Sequence, residues 1–185
     1  VLIFGIAAAA DLMKGKEKVI SYGREEERYR WAPALAIVLP LIYWAGTRAD
    51  MNFGDTGSYR IGFRLTPDSL AYLPEYLQTV PKDKGFSAFN VLVKFVIGNQ
   101  DVIYFLIIAA ICGGCVFWVY RKYSCSFAMT AFLFVASADY LQWMYNGIRQ
   151  FIAAAVCFAC IGLILKKKYL WTILVICIMA TFHAS

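Results

Sequence analysis

Apolar residues come in long runs separated by short charged clusters. The runs are Val1 to Ala10, Trp31 to Gly46, Asp101 to Tyr120, Phe127 to Met144, Ile148 to Leu165 and Tyr169 to Phe182. Several are apolar all round rather than striped at a period of 3.6, the pattern of helices surrounded by lipid or by a very large core. The chain therefore reads as an all-α polytopic membrane protein. A single integral membrane domain over 1–185 is expected, with spans at about 1–13, 31–46, 101–120, 127–144, 148–165 and 169–183. Trp31 and Trp44 stand at the ends of the second span as interfacial anchors, and Pro40 is expected to kink it. Phe86–Ile97 is apolar as well, but its twelve residues reach only about 18 Å as a helix against about 30 Å of hydrocarbon. Ser87, Asn90 and Lys94 fall at i, i+3 and i+7 and give it one polar stripe. This predicts an external amphipathic or re-entrant helix.

Composition agrees with lipid as the solvent. Hydrophobic residues make up 61% of the chain, above the roughly 45–50% of soluble domains. A net charge of +6 would suggest a nucleic-acid partner in a soluble protein. Here the basic residues sit in short loops between spans, so membrane topology explains them and no nucleic acid is expected. Lys166, Lys167 and Lys168 close one span and mark its cytoplasmic end. Loops 14–30, 121–126 and 166–168 are then cytoplasmic, and 47–100 is external. Residues assigned to the cytoplasmic side, Asp11 included, hold 11 Lys/Arg and 5 Asp/Glu, and the other side holds 7 and 7. Within 14–30, Arg24-Glu25-Glu26-Glu27-Arg28 reads as a solvated helical turn. The chain begins inside an apolar run with no basic region before it, which reads as an internal piece of a longer protein rather than a signal peptide. Cys112-x-x-Cys115 and Cys157-x-x-Cys160 lie deep in apolar runs without polar ligands. They read as small hydrophobes rather than as redox or metal sites.

This topology gathers the unusual polar residues at one membrane face. Arg48 and Asp50 follow the second span, with Asp55 and Tyr59 beyond. Asn146, Arg149 and Gln150 occupy the turn between two spans, and His183 and Ser185 end the last one. Two guanidiniums at a membrane face are suited to a diphosphate, which they grip by bidentate hydrogen bonds. The single histidine, or Asp50 or Asp55, is able to accept a proton. The plainer readings are a helix anchor for Arg149, with Asp139 as a structural partner, a surface ion pair for Arg48 and Asp50, and a helix-end imidazole for His183. No ligand cluster of defined spacing supports a metal at Asp50 and Asp55.

These residues carry a resemblance to a known family. Gly46-Thr47-Arg48-x-Asp50 followed by Gly54-Asp55-x-x-x-Tyr59-x-x-x-Phe63 resembles the first external motif of the EpsG-type, Wzy-like polysaccharide polymerases. Gly85-Phe86-x-x-x-Asn90 resembles the next block, with Asp83-Lys84 where that family often has an acidic residue and proline. Asn146-x-Ile148-Arg149-Gln150-x-x-Ala153, a lysine-rich loop, and Phe182-His183-x-Ser185 resemble the most characteristic block. The resemblance covers roughly 46–185. It implies a C-superfamily glycosyltransferase membrane fold in a bacterial cytoplasmic membrane. The implied activity joins polyprenyl-diphosphate-linked oligosaccharides into exopolysaccharide or O-antigen at the external face. Direct displacement is expected to invert the anomeric centre, and a diphosphate held by arginines is expected to need no metal or other cofactor. Expected partners are the lipid-linked glycan, the bilayer and other polysaccharide-assembly membrane proteins. Arg149, His183, Arg48, Asp50 and Asp55 are the expected catalytic residues. Asn146, Gln150, Tyr59, Asn90 and Ser185 are the expected substrate contacts. A flippase or transporter, a membrane O-acyltransferase using the histidine, and a purely structural subunit are the rival readings.

Overall fold

The computed structural model describes Gly5 and residues 16–21, 23–48, 54–137 and 139–183. The expected span over 1–13, Asp50 and Ser185 lie outside the described residues. The chain is mostly helical. One correction concerns 24–28, where a helical turn was expected. Strands β1 (Lys16–Ser21) and β2 (Arg24–Tyr29) form an antiparallel hairpin instead, with Lys18 opposite Glu27 and Ile20 opposite Glu25. Opposite charges face one another across the strands. Lys18 meets Glu25 at 3.3 Å and Lys16 meets Glu27 at 3.9 Å across the strands. Gly23 takes φ +75°, which suits the two-residue connection.

Helix α1 (Trp31–Gly46) has the bounds its apolar run predicts, and Pro40 lies inside it. Its buried residues Ala34, Ile37, Val38, Leu41 and Ala45 recur at helical spacing and pack on the central helix α5 (Asp101–Tyr123). Gly46 makes the closest approach. A Cβ there would lie 2.9 Å from the Leu106 Cα, so the two backbones would have to part. Gly46→Val is expected to destabilise the protein by about 1–3 kcal/mol or more through overpacking, read as reduced accumulation in membranes and a lower Tm in detergent. Wild-type Tm for the variant would show that the α1 end is free to shift.

The long segment between α1 and α5 holds more structure than its apolar pattern announces. Helix α2 (Thr56–Leu65), a 3₁₀ turn (Leu70–Tyr72) and α3 (Leu73–Thr79) precede α4 (Lys84–Ile97). Arg60 and Arg64 of α2 both pair with Asp101 at the start of α5, and Phe63 stacks on Tyr104 with centroids 4.1 Å apart. In α4 the polar stripe is the buried face. Asn90 accepts from the Tyr104 hydroxyl at 3.1 Å, and Lys94 Nζ donates to the Arg64 and Thr66 carbonyls, each at 2.6 Å. Leu92, Phe95 and Val96 point outward. A helix bathed in water turns these faces the other way.

The run 127–144, expected to be one span, carries two helices among the described residues. Helix α6 (Phe127–Ala136) ends where Ser137 turns its hydroxyl to the Phe134 carbonyl at 3.2 Å, and α7 (Asp139–Tyr145) begins afresh. Ser and Asp compete with helix interiors for backbone hydrogen bonds and favour boundaries. Helices α8 (Ile148–Ala159) and α9 (Ile161–Leu165) follow through a turn at Cys160, and α10 (Tyr169–Ala180) completes the described fold. Among the described residues, Asp101–Tyr123 and Ile148–Leu165 are long and apolar enough to cross a membrane, while Ala34–Gly46, Phe127–Ala136 and Tyr169–Ala180 are apolar but shorter. Helix α10 turns most of its apolar side chains outward, Leu170, Trp171 and Ile173 among them.

Contacts separate the two ends of the bundle. At one end the hairpin meets the α5–α6 connection, where Tyr29 and Lys16 both donate to the Cys125 carbonyl and Arg121 pairs with Glu17 at 2.8 Å. At the other end, residues 45–48, 54–60, 83–86, 144–149 and 181–183 come together.

Candidate functional site

The site is built on the turn before α8. Gly147 caps that helix at φ +58°, a left-handed conformation that glycine adopts without strain. Three distant groups grip the turn. Arg48 Nη1 donates to the Met144 carbonyl at 2.7 Å, the Asp55 N–H donates to the Tyr145 carbonyl at 3.2 Å, and Asp55 Oδ2 accepts the Gly147 N–H at 3.2 Å. The first turn of α8 is thereby held in place, and it carries Arg149.

Arg149 is the centre of the arrangement. Its Nε donates to the Tyr59 hydroxyl at 3.1 Å and its Nη1 to Asp83 Oδ2 at 2.5 Å. Nη2 makes no hydrogen bond among the described residues. The Tyr59 and Phe86 rings flank the guanidinium, with centroids 5.8 and 5.9 Å from its carbon. The guanidinium faces a polar cavity of about 370 Å³ lined by Asp55, Ser58, Tyr59, Gly62, Tyr76, Phe86, Ser87, Asn90 and Arg149. One fixed cation, one carboxylate, several hydroxyls and an amide are the groups that hold an anionic, hydroxyl-rich ligand.

Of the residues singled out from the sequence, Arg149, Asp55, Tyr59 and Asn90 share this cavity. Arg48 does not line it. That side chain is 7% exposed, sandwiched between the Phe105 and Tyr145 rings at 4.6 Å, and bonded to the Ala45 and Met144 carbonyls. Burial lowers its pKa to about 10, so it is still cationic at neutral pH. Its place in the fold is that of a clamp on the turn. His183 and Gln150 line another space, an apolar groove of about 260 Å³ between α8 and α10 with Ala153, Ala154, Cys157, Ile176, Met179 and Ala180. Successive helix residues diverge by about 100°, which is why Arg149 and Gln150 part company. The His183 N–H donates to the Met179 carbonyl at 3.3 Å, and its Nδ1 is buried without a hydrogen bond among the described residues. Asn146 lies against Gly54 in the turn.

Arg149 pairs with Asp83; the side chain of Asp139, the partner considered from the sequence, lies outside the described residues. Asp83, Ser58, Tyr76 and Ser87 were not among the expected site residues, although Ser87 belongs to the polar stripe read from spacing. The one signal for Asp83 was its place just before the Gly85-Phe86 motif. Among the described residues no three His, Cys, Asp or Glu side chains come together as metal ligands. All six cysteines are free thiols.

Long apolar helices and apolar side chains turned outward are those of a helical membrane protein, and a polar cavity faced by a guanidinium lies at one helix end. The family model for EpsG matches residues 31–185. The chain therefore belongs to the EpsG family, whose members are glycosyltransferase-like polymerases related to exopolysaccharide biosynthesis. No curated protein and no solved structure matches the chain.

Proposed function

We propose that the protein is a polysaccharide polymerase that joins polyprenyl-diphosphate-linked oligosaccharides into exopolysaccharide or O-antigen at the external face of the cytoplasmic membrane. The observation that carries this reading is Arg149, held by Tyr59 and Asp83 at the edge of a polar cavity where a membrane helix begins. The guanidinium binds the diphosphate and stabilises the negative charge that develops as it leaves. Asp55 lines the same cavity and takes the proton of the attacking sugar hydroxyl. The hydroxyl oxygen bonds to the anomeric carbon, the carbon–oxygen bond to the diphosphate breaks, and the diphosphate departs with the electron pair. Direct displacement inverts the anomeric centre. No step calls on a metal or a cofactor. Tyr59, Ser58, Ser87 and Asn90 offer hydrogen bonds to sugar hydroxyls. Arg48 supports the α8 turn from beneath, and His183 faces the α8–α10 groove.

The test is the full-length protein in liposomes with polyprenyl-diphosphate-linked repeat units. The expected result is a ladder of polymer lengths formed in the presence of a chelator. Translocation of the lipid-linked unit without any ladder would make the protein a flippase. Acyl transfer to the sugar would make it an O-acyltransferase.

A further inference from the structure

We propose that Asp83 is a positioning residue for Arg149, holding the guanidinium in the one orientation that meets the leaving diphosphate. The inference rests on the role given to Arg149 above. Three observations carry it. The first is the asymmetry of the ion pair. The Asp83 side chain is 3% exposed and that of Arg149 is 36% exposed, so the carboxylate is part of the wall and the guanidinium stands at the mouth. A carboxylate buried that deeply is tolerated when it is paired and hydrogen-bonded.

The second is the geometry of the fork. A planar guanidinium held only at Nη1 is free to swing about that bond. Held at Nε by the Tyr59 hydroxyl and at Nη1 by Asp83, its plane is defined and Nη2 is left for a ligand. The third is that the turn carrying Asp83 is itself immobilised. Asp83 takes φ +57°, a conformation costly for a residue with a Cβ. Its carbonyl accepts the Ser87 N–H at 3.1 Å, and the Gly85 N–H donates to the Thr181 carbonyl at 2.9 Å. A Cβ on Gly85 would lie 2.9 Å from the Thr181 Cβ and 3.0 Å from the Phe182 ring. Phe182 also packs on Phe86 and Phe89, with centroids 6.4 and 6.0 Å away. Asp83 is therefore a fixed point between α4, α8 and the end of α10.

The charge of Asp83 gives the proposal a signature. An anion beside the guanidinium competes with the diphosphate in the ground state, so removing it does not weaken substrate attraction. What is lost is orientation in the transition state. The experiment measures kcat and KM for Asp83→Asn and Asp83→Glu in the full-length protein, in liposomes with polyprenyl-diphosphate-linked repeat units, at matched protein level. Asp83→Asn is expected to lower kcat about tenfold or more, because small misplacements of a positioned group are costly, while KM stays within about twofold or falls. Asp83→Glu should lie between Asn and wild type in kcat. In an Arg149→Ala background Asp83→Asn should add less than about a twofold further loss, as expected for residues acting through one another. Wild-type kcat in Asp83→Asn, a raised KM with unchanged kcat, or the full loss repeated in the Arg149→Ala background would overturn the proposal. If Asp83→Asn does not accumulate, Asp83→Glu decides alone: kcat reduced several-fold at constant KM supports the proposal and wild-type kcat rejects it. Arg149→Ala polymerising at wild-type rate would remove the role of Arg149 and this inference with it. An inactive Arg149→Ala beside a fully active Asp83→Asn would remove this inference alone.

Discussion

Asp55→Asn is expected to reduce polymerisation by about a hundred- to ten-thousandfold, the usual contribution of a positioned general base, with membrane insertion unchanged. The two side chains have the same shape. The Asn oxygen still accepts the Gly147 N–H that Asp55 Oδ2 takes at 3.2 Å, so the turn before α8 keeps its support. The Asp55 backbone N–H still reaches the Tyr145 carbonyl. What disappears is the ability to accept a proton from a sugar hydroxyl in the cavity. The measurement is the rate of ladder formation at matched protein level, with binding of the lipid-linked unit followed separately. Near-normal binding with little polymer is the expected pair of results. Near-normal polymer would show that Asp55 serves only the turn and would move the search for the base elsewhere.

Arg149→Lys is expected to cost about ten- to hundredfold in polymerisation, since a charge-assisted hydrogen bond is worth about 1.5–3 kcal/mol. Lysine keeps the charge but loses the planar fork. In this protein the fork already uses Nε on Tyr59 and Nη1 on Asp83. A single ammonium cannot occupy both positions and also present a third donor to a phosphate oxygen. If Arg149 only anchored the end of α8, lysine would serve nearly as well. Polymer formed by Arg149→Lys at wild-type rate, at equal accumulation, would leave the anchor as the better account.

Both predictions depend on features of very different legibility in the chain. The helices α1 and α5 start where the apolar pattern puts them, because Trp31 and Asp101 mark abrupt changes from charged or polar sequence to hydrocarbon-like sequence. The break at Ser137 and the hairpin at 16–29 were not legible. Both depend on competition between nearly equal local options: a serine hydroxyl against a helix carbonyl, and cross-strand Lys–Glu pairs against a solvated helical turn. The Ser87, Asn90 and Lys94 stripe was visible from spacing alone, but not the direction it faces. That direction follows from Tyr104 and the Arg64 and Thr66 carbonyls, which lie far away in sequence and claim the three-dimensional space on that side.

The candidate site divides along the same line. Sequence by itself determined position along the helices: apolar run length, basic clusters and polar run ends put Arg48, Asp55, Arg149 and His183 near the ends of helices. Position along the helix axis is readable because an apolar run stops where charged or polar sequence begins. Position around that axis was decided only by tertiary structure. Arg149 and Gln150 differ by one residue yet face a polar cavity and an apolar groove, respectively. Arg48 and Arg149 both stand at helix ends, yet one is buried under the turn and the other stands at the cavity mouth. Asp83, hidden in a punctuated segment with no apolar period, became the partner of Arg149 only when α4 was laid against α8 and the end of α10. Which helices pack together, and at what rotation, depends on contacts between residues distant in sequence, and a one-dimensional pattern carries little of that information.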